Sequence, residues 1–296
     1  SQQALNRDLI GHEGAITDLA FSRNGKQLVS ASVDRTIKVW NIDTGEVEQS
    51  LPDHNDIVLA VEYSPSSDLL ASAGYDREVR LWNPETLEPV ESLVGHTSAI
   101  RGLAFSPDGR LLASAGDDRS IILWDLESRT QRHILEGHRG PVTAISFSPS
   151  GGTLVSASHD QSLILWDTKT GAQQERLESA HGIVRTVIFA GEDQIISGHQ
   201  ANTSITWNRG PTSWTQQILP TESAVRSIAV DPARQRVAIG TDDNSVIIQD
   251  LKAAKEESIL QGHTSRVLSV TFSPDGKQFA SAGYDGIIKI SRIDIP

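Results

Sequence analysis

The feature that most constrains this chain of 296 residues is a period. Trp40, Trp82, Trp124 and Trp166 fall 42 residues apart, and His12, His54, His96 and His138 keep the same step. Around them one pattern recurs. It runs through His (usually Gly-His), an apolar stretch ending in Phe or Tyr, a turn, and Ser-Ala-Ser or Ser-Ala-Gly. One residue and an Asp follow, then an apolar stretch into Trp-Asp or Trp-Asn. A period of this length marks stacked supersecondary units, each too small to bury its apolar face alone. The third unit holds four short β-rich runs, Ile100–Phe105, Leu111–Ala115, Ser120–Trp124 and Gln131–Leu135, separated by turn residues. No segment carries a 3.6-residue apolar period, so an all-β chain almost without helix is predicted. Seven such steps fill the length and leave no room for a second domain.

Composition then narrows the function. The chain has no cysteine, which excludes disulfides, thiol nucleophiles and cysteine-ligated zinc. A formal net charge of −12 argues against nucleic acid as a partner, because binding the phosphate backbone needs clustered Lys and Arg. No run is long and apolar enough for a membrane span, and the opening residues lack the layout of a signal peptide. A cytoplasmic location is therefore expected. The chain contains no methionine, so a processed product or a domain cut from a longer chain is expected.

Carried in register, the Gly-His…Trp-Asp pattern resembles the WD-repeat β-propeller family over essentially the whole chain. The resemblance implies seven four-stranded antiparallel blades around a central channel. Their approximate bounds are 11–52, 53–94, 95–136, 137–179, 180–220, 221–261 and 262–296. Residues 1–10 become the outer strand of blade seven. Asn6–Ile10 is predicted to lie beside Gly286–Arg292, closing the ring and covering an open edge.

The resemblance also implies a buried network in each blade. In blades one to four its members are His12, Ser30, Asp34 and Trp40; His54, Ser72, Asp76 and Trp82; His96, Ser114, Asp118 and Trp124; His138, Ser156, Asp160 and Trp166. A buried indole N–H and an imidazole both need partners, which a hydroxyl and a short carboxylate supply. A Ser–His–Asp set evokes a hydrolase triad, but here it recurs blade after blade with no special copy and no oxyanion hole. Six of nine histidines sit in this register, so no metal site and no cofactor are expected. Blade five keeps His181, Ser197 and Trp207 but has Ala201 for the aspartate. Blade seven keeps His263, Ser281 and Asp285 with Ser291 for the tryptophan. Blade six has Thr221, Ile239 and Gln249 and keeps only Asp243. Partners lost together leave nothing buried unpaired, on this reading. His133 and His199 read as surface residues without a role.

By the same resemblance, partners bind the top face and channel mouth. The residue before the turn aspartate is Val33, Tyr75, Asp117, His159, Gln200, Asp242 and Tyr284 around the ring. A second contact position, on the innermost strand, holds Thr17, Leu59, Arg101, Thr143, Arg185, Arg226 and Leu268. Strand alternation points it toward the mouth together with residues two earlier, Ile57 among them. Blades seven, one and two thus offer an apolar sector of Leu268, Tyr284, Val33, Ile57, Leu59 and Tyr75. Blades three, five and six offer Arg101, Arg185 and Arg226 with Asp117 and Asp242 nearby. A protein or peptide segment carrying an acidic group and an apolar anchor fits this division. The plainer expectation pairs each arginine with a rim aspartate in solvent. Trp214, outside the repeat register, lies on the outer edge of blade five as either a side-wall contact or a cover for its own blade.

Three functions compete. The first is a non-catalytic interaction scaffold, expected to be monomeric as an isolated domain. The second is a regulatory or ligand-sensing domain of a larger multidomain protein, such as a bacterial enzyme or NTPase. The third, a propeller enzyme or sugar binder, needs a channel-lining acid pair distinct from the repeat, and none is evident in the sequence.

Overall fold

Strands that are apolar on both faces must be covered on both, and stacking the repeats around a ring does this. The computed structural model describes residues 7–51, 54–252 and 255–292. These form seven four-stranded antiparallel sheets in which consecutive strands pair. Blade three consists of Ile100–Phe105, Leu111–Gly116, Ser120–Asp125 and Thr130–Glu136, each bound within one residue of the sequence-based expectation. The inner strand of each blade packs on the next, and that of blade one also packs on blade seven, so the ring closes. The described residues contain no helix, and hence none long and apolar enough to cross a membrane.

The core lies between blades, not inside them. Val29, Ala31 and Val39 of blade one pack with Val58, Val61, Tyr63, Leu70 and Trp82 of blade two. Trp40 packs in the same way against Ala280, Ala282 and Ile288 of blade seven. Fully burying one such large side chain stabilises the fold by about 1.5–3 kcal/mol. No blade could collect that alone.

Closure follows the predicted route. Arg7–Ile10 pairs antiparallel with the third strand of blade seven, from Arg7↔Ile290 to Ile10↔Ile287. Asn6 lies outside the described residues. Leu9 is buried, and Lys289 Nζ donates to both carboxylate oxygens of Asp8 at 2.9 Å. Arg7 reaches across to blade one, donating to the Ile42 carbonyl oxygen at 2.8 Å. Deleting residues 1–10 should therefore lower the thermal midpoint and expose the edge Ile287–Ile290 to amide exchange. An unchanged midpoint and unchanged protection there would show that this strand does not fasten the ring.

Candidate functional site

One serine hydroxyl joins three partners in each of the first four blades. In blade one, Trp40 Nε1 donates to Ser30 Oγ at 2.8 Å, Ser30 Oγ lies 2.7 Å from His12 Nε2, and His12 Nδ1 lies 2.7 Å from Asp34 Oδ2. Blades two, three and four repeat this with Ser72, Ser114 and Ser156 at 2.7–2.9 Å. In blade four the histidine–aspartate distance is 3.0 Å. A carboxylate at Nδ1 requires N–H there, so a neutral ring accepts the serine proton at Nε2. This is the proton order of a hydrolase triad, but the serines are fully buried and each already accepts a tryptophan N–H. Buried in this way, they are closed to a carbonyl from solvent. These are fasteners.

Each aspartate also closes its turn. Asp34 Oδ1 accepts the Thr36 N–H at 2.9 Å, and Arg35 between them takes the left-handed conformation at φ 71°. Burial works to raise the carboxyl pKa of Asp34, Asp118 and Asp160, but the histidine and hydroxyl bonds win and hold them well below the usual range.

Blade five departs from the expected network. His199, expected on the surface, is fully buried, with Nε2 2.8 Å from Ser197 Oγ and Nδ1 3.3 Å from Ser179 Oγ. It replaces His181, whose aspartate is absent, and whose ring stands edge-on to it at 6.2 Å. Strand alternation places residues 197 and 199 on one face, a signal available in the sequence. Burial and neighbouring His181 push the His199 pKa down to about 4, so the ring is neutral at neutral pH. The expectation that shed partners leave nothing unpaired fails in two places. Gln249 Oε1 in blade six and Ser291 Oγ in blade seven are buried without a hydrogen bond.

The channel mouth is built by a feature that sequence alternation missed. In all seven blades the inner strand carries a β-bulge against its neighbour, at Thr17, Leu59, Arg101, Thr143, Arg185, Arg226 and Leu268. The bulged residue leaves the ladder and is re-aimed at the lumen. These side chains line a central channel of about 870 Å³ with Ile57, Tyr75, His159 and Tyr284. Tyr284 is 56% exposed, Tyr75 44% and Val33 36%, on three successive blades.

The three arginines are not equivalent. Arg101 makes a two-pronged pair with Asp117, through a very short Nε contact and Nη2 at 2.9 Å. Arg226 grips Asp242 similarly, at 2.5 and 2.8 Å, and Arg266 approaches the same carboxylate at 3.7 Å. Where these blades have Asp117 and Asp242, blade five has Gln200, so Arg185 has no carboxylate of its own. Among the described residues Arg185 forms no ion pair, and its buried Nε has no hydrogen bond. Burial and the charges of Arg226 and Arg266 shift its pKa below the ordinary value, although a guanidinium stays charged. Burial, Arg101 and Arg185 likewise push His159 down, favouring a neutral ring.

Deeper in the channel stands an acid pair, Asp18 and Glu62, which corrects the expectation that the sequence holds no channel-lining acid pair outside the repeat. Asp18 lies between inner strands, accepting from Leu19 N at 2.9 Å, Val61 N at 3.0 Å and Ser269 Oγ at 3.0 Å, and so ties blades seven, one and two. Glu62, one layer below on blade two, feels its charge. Burial, and then Asp18, push Glu62 up to about 8, and burial pushes Asp18 up to about 6 against its three donors. Aligning the repeats would expose both, because the other blades have only small, hydroxyl or aliphatic residues at these positions. Among the described residues no group of three or more metal-ligating side chains exists. Trp214, half-buried, donates Nε1 to Glu175 Oε2 of blade four at 2.9 Å under the Arg209 guanidinium. It covers its own blade and the next.

A closed ring of seven such blades, fastened from within and open at a channel mouth, defines a β-propeller repeat protein. The family model WD40, "WD domain, G-beta repeat", matches residues 3–41, 45–83, 87–125, 129–167 and 254–290, well over half of the chain, which belongs to this family. Residues 168–253, unmatched by that model, hold blades five and six, two of the three blades whose networks are altered. THO complex subunit 6 homolog of Danio rerio is 27% identical over 97 residues, covering 32% of this chain and 29% of that protein. Actin-interacting protein 1 of Drosophila melanogaster is 37% identical over 71 residues, 24% of this chain and 12% of that protein. Eukaryotic translation initiation factor 3 subunit I of Drosophila erecta is 33% identical over 88 residues, 25% of this chain and 27% of that protein. The aligned stretches thus span less than a third of these relatives.

Two outcomes check this account. Ser114→Ala strands two buried donors or acceptors and should cost about 1–3 kcal/mol, whereas Ser291→Ala, which removes an already unpaired hydroxyl, should cost little or stabilise. Equal denaturant midpoint shifts for the two variants would contradict it. For Glu62, a folded-state pKa raised to about 8 means its contribution is complete below the unfolded value near 4.5 and is lost as pH rises through about 8. Glu62→Gln should therefore flatten the fall in thermal midpoint between about pH 5 and pH 8. An unaltered slope would mean that Glu62 is ionised throughout.

Proposed function

We propose that this chain is a non-catalytic protein-interaction module that takes a partner segment at its channel mouth. The segment places an apolar side chain among Tyr284, Val33 and Tyr75 and an anionic group on Arg185. The unpaired, partly buried Arg185 carries this reading. The mouth sets four guanidiniums, of Arg101, Arg185, Arg226 and Arg266, against only the carboxylates of Asp117 and Asp242. A carboxylate from outside would satisfy the buried Nε–H and offset the excess positive charge. Arg101 and Arg226, held by Asp117 and Asp242, form rigid walls rather than binding groups, and neutral His159 between Arg101 and Arg185 supplies an uncharged hydrogen-bonding partner. Leu59, Ile57 and Leu268 floor the apolar side. Family membership supports protein partners, and relatives are named for actin interaction and for subunits of larger complexes.

The test is an array of short peptides, each pairing an aliphatic or aromatic residue with Asp or Glu, followed by fluorescence titration of those retained. Arg185→Gln should weaken the selected peptides about ten- to hundredfold, the range of one charge-assisted hydrogen bond. Arg110→Gln, exposed in the hairpin at the opposite end of blade three's inner strand, should not. Equal affinity for the Arg185 variant, or no peptide retained by the wild-type protein, would reject the assignment.

A further inference from the structure

Each blade ends outward in a strand whose far edge is open, and six of the seven edges are guarded. Six outer strands carry at least one charged residue, from Glu48 alone in blade one to Glu175, Arg176 and Glu178 in blade four. The outer strand of blade five, Trp214–Pro220, reads WTQQILP and carries none. Bulges provide the second guard. The outer strands of blades one, two, three, four and six each pair with a bulge, and that of blade seven carries Arg7 and Asp8. In blade five the pairing runs unbroken over seven pairs, from Thr203↔Pro220 to Arg209↔Trp214. Charges and bulges are two of the devices by which a sheet edge avoids pairing with another strand, and a proline is a third, which blade five has only at its last residue, Pro220. Blade five has neither charge nor bulge there.

This edge is also ordered in advance. The Trp214 bond to Glu175 and the Arg209 guanidinium 5.6 Å from the indole centre pin its first residue against blade four. Thr215, Gln216 and Gln217 are exposed, and Ile218 shows 44% of its surface. A fixed, extended strand has little conformational entropy left to lose when it pairs.

Charge identifies the occupant. Of the net charge of −12, blade two contributes nine Asp and Glu against two Arg. Blade five has Arg185 and Arg209 against Glu192 and Asp193, a balance of zero. Two copies of this acidic chain that meet through blade five therefore set no net like charge against each other there. We propose that the outer edge of blade five pairs antiparallel with the same edge of a second copy, about a two-fold axis at Gln217. In this register Gln217 meets its own counterpart, Gln216 meets Ile218 and Thr215 meets Leu219, with no charge facing another. A seven-residue strand is about 24 Å long, so the contact lies at the small end of specific interfaces and the dimer is weak. Self-association replaces the monomer expected from the sequence. It lies on the side wall and holds two channel mouths in one particle.

Sedimentation velocity of the full chain from low to high micromolar concentration tests this. The weight-average mass should rise toward a dimer. Gln217→Lys, which sets like charges opposite each other, should weaken association at least about tenfold. Gln49→Lys on the guarded edge of blade one, and Arg185→Gln at the mouth, should leave it unchanged. A synthetic Ser213–Pro220 peptide should compete. Sedimentation as a monomer throughout, or association of Gln217→Lys as strong as wild type, would overturn the proposal. A monomer that still binds the peptide would also overturn it, reassigning the edge to a strand from another protein.

Discussion

The structure depends on a serine hydroxyl with no access to water. Ser30, Ser72, Ser114 and Ser156 each receive a tryptophan N–H and meet a histidine nitrogen. They link the third strand of a blade to the loop that enters it, while the histidine passes the link on to the turn aspartate. In a low-dielectric interior every such bond is strengthened, and every missing one is costly. Where the network varies, in blades five and six, the polar groups that remain find other hydrogen-bonding side chains, although Gln249 Oε1 and Ser291 Oγ are left unpaired. Blade five moves the imidazole from residue 181 to 199. Blade six settles Asp243 on the hydroxyls of Thr241 and Ser245 instead.

With the turns and entry loops fixed, the bulge on each inner strand has one direction in which to send its side chain. The mouth is therefore a ring of seven positions whose chemistry can change without altering the scaffold. Here three adjacent blades present apolar and aromatic groups, while three others present arginine. Bidentate pairing with Asp117 and Asp242 converts two of those arginines into parts of the wall. Blade five, with glutamine in that place, leaves the third uncompensated. The acid pair Asp18–Glu62 below works in the other direction. It binds a proton at neutral pH and ties neighbouring inner strands, so the lumen is cationic at its mouth and carboxyl-lined within.

Much of the network was legible because its members recur at fixed intervals, and repetition argues for scaffold over catalysis. Gln249 and Ser291 were legible as departures, but not their unpaired buried atoms, which depend on neighbours from other strands. His199 was misread because it falls outside the histidine register, although its spacing from Ser197 places both on one face. Asp18 and Glu62 were each legible as departures from the repeat, but not as a pair, because they come from different repeats and meet only across neighbouring inner strands.

By itself the sequence determined the seven repeats, the closing strand and the fasteners of the first four blades. Those follow from a 42-residue period and from donors and acceptors that recur together within single units. Only the tertiary structure decided which arginine is free, how the bulges aim the mouth, and which outer edge is unguarded. Each of these depends on the exact register of neighbouring strands, and a one-residue slip in register exchanges the buried and exposed faces of a strand. The period specifies how many blades there are, whereas the register specifies what each blade presents.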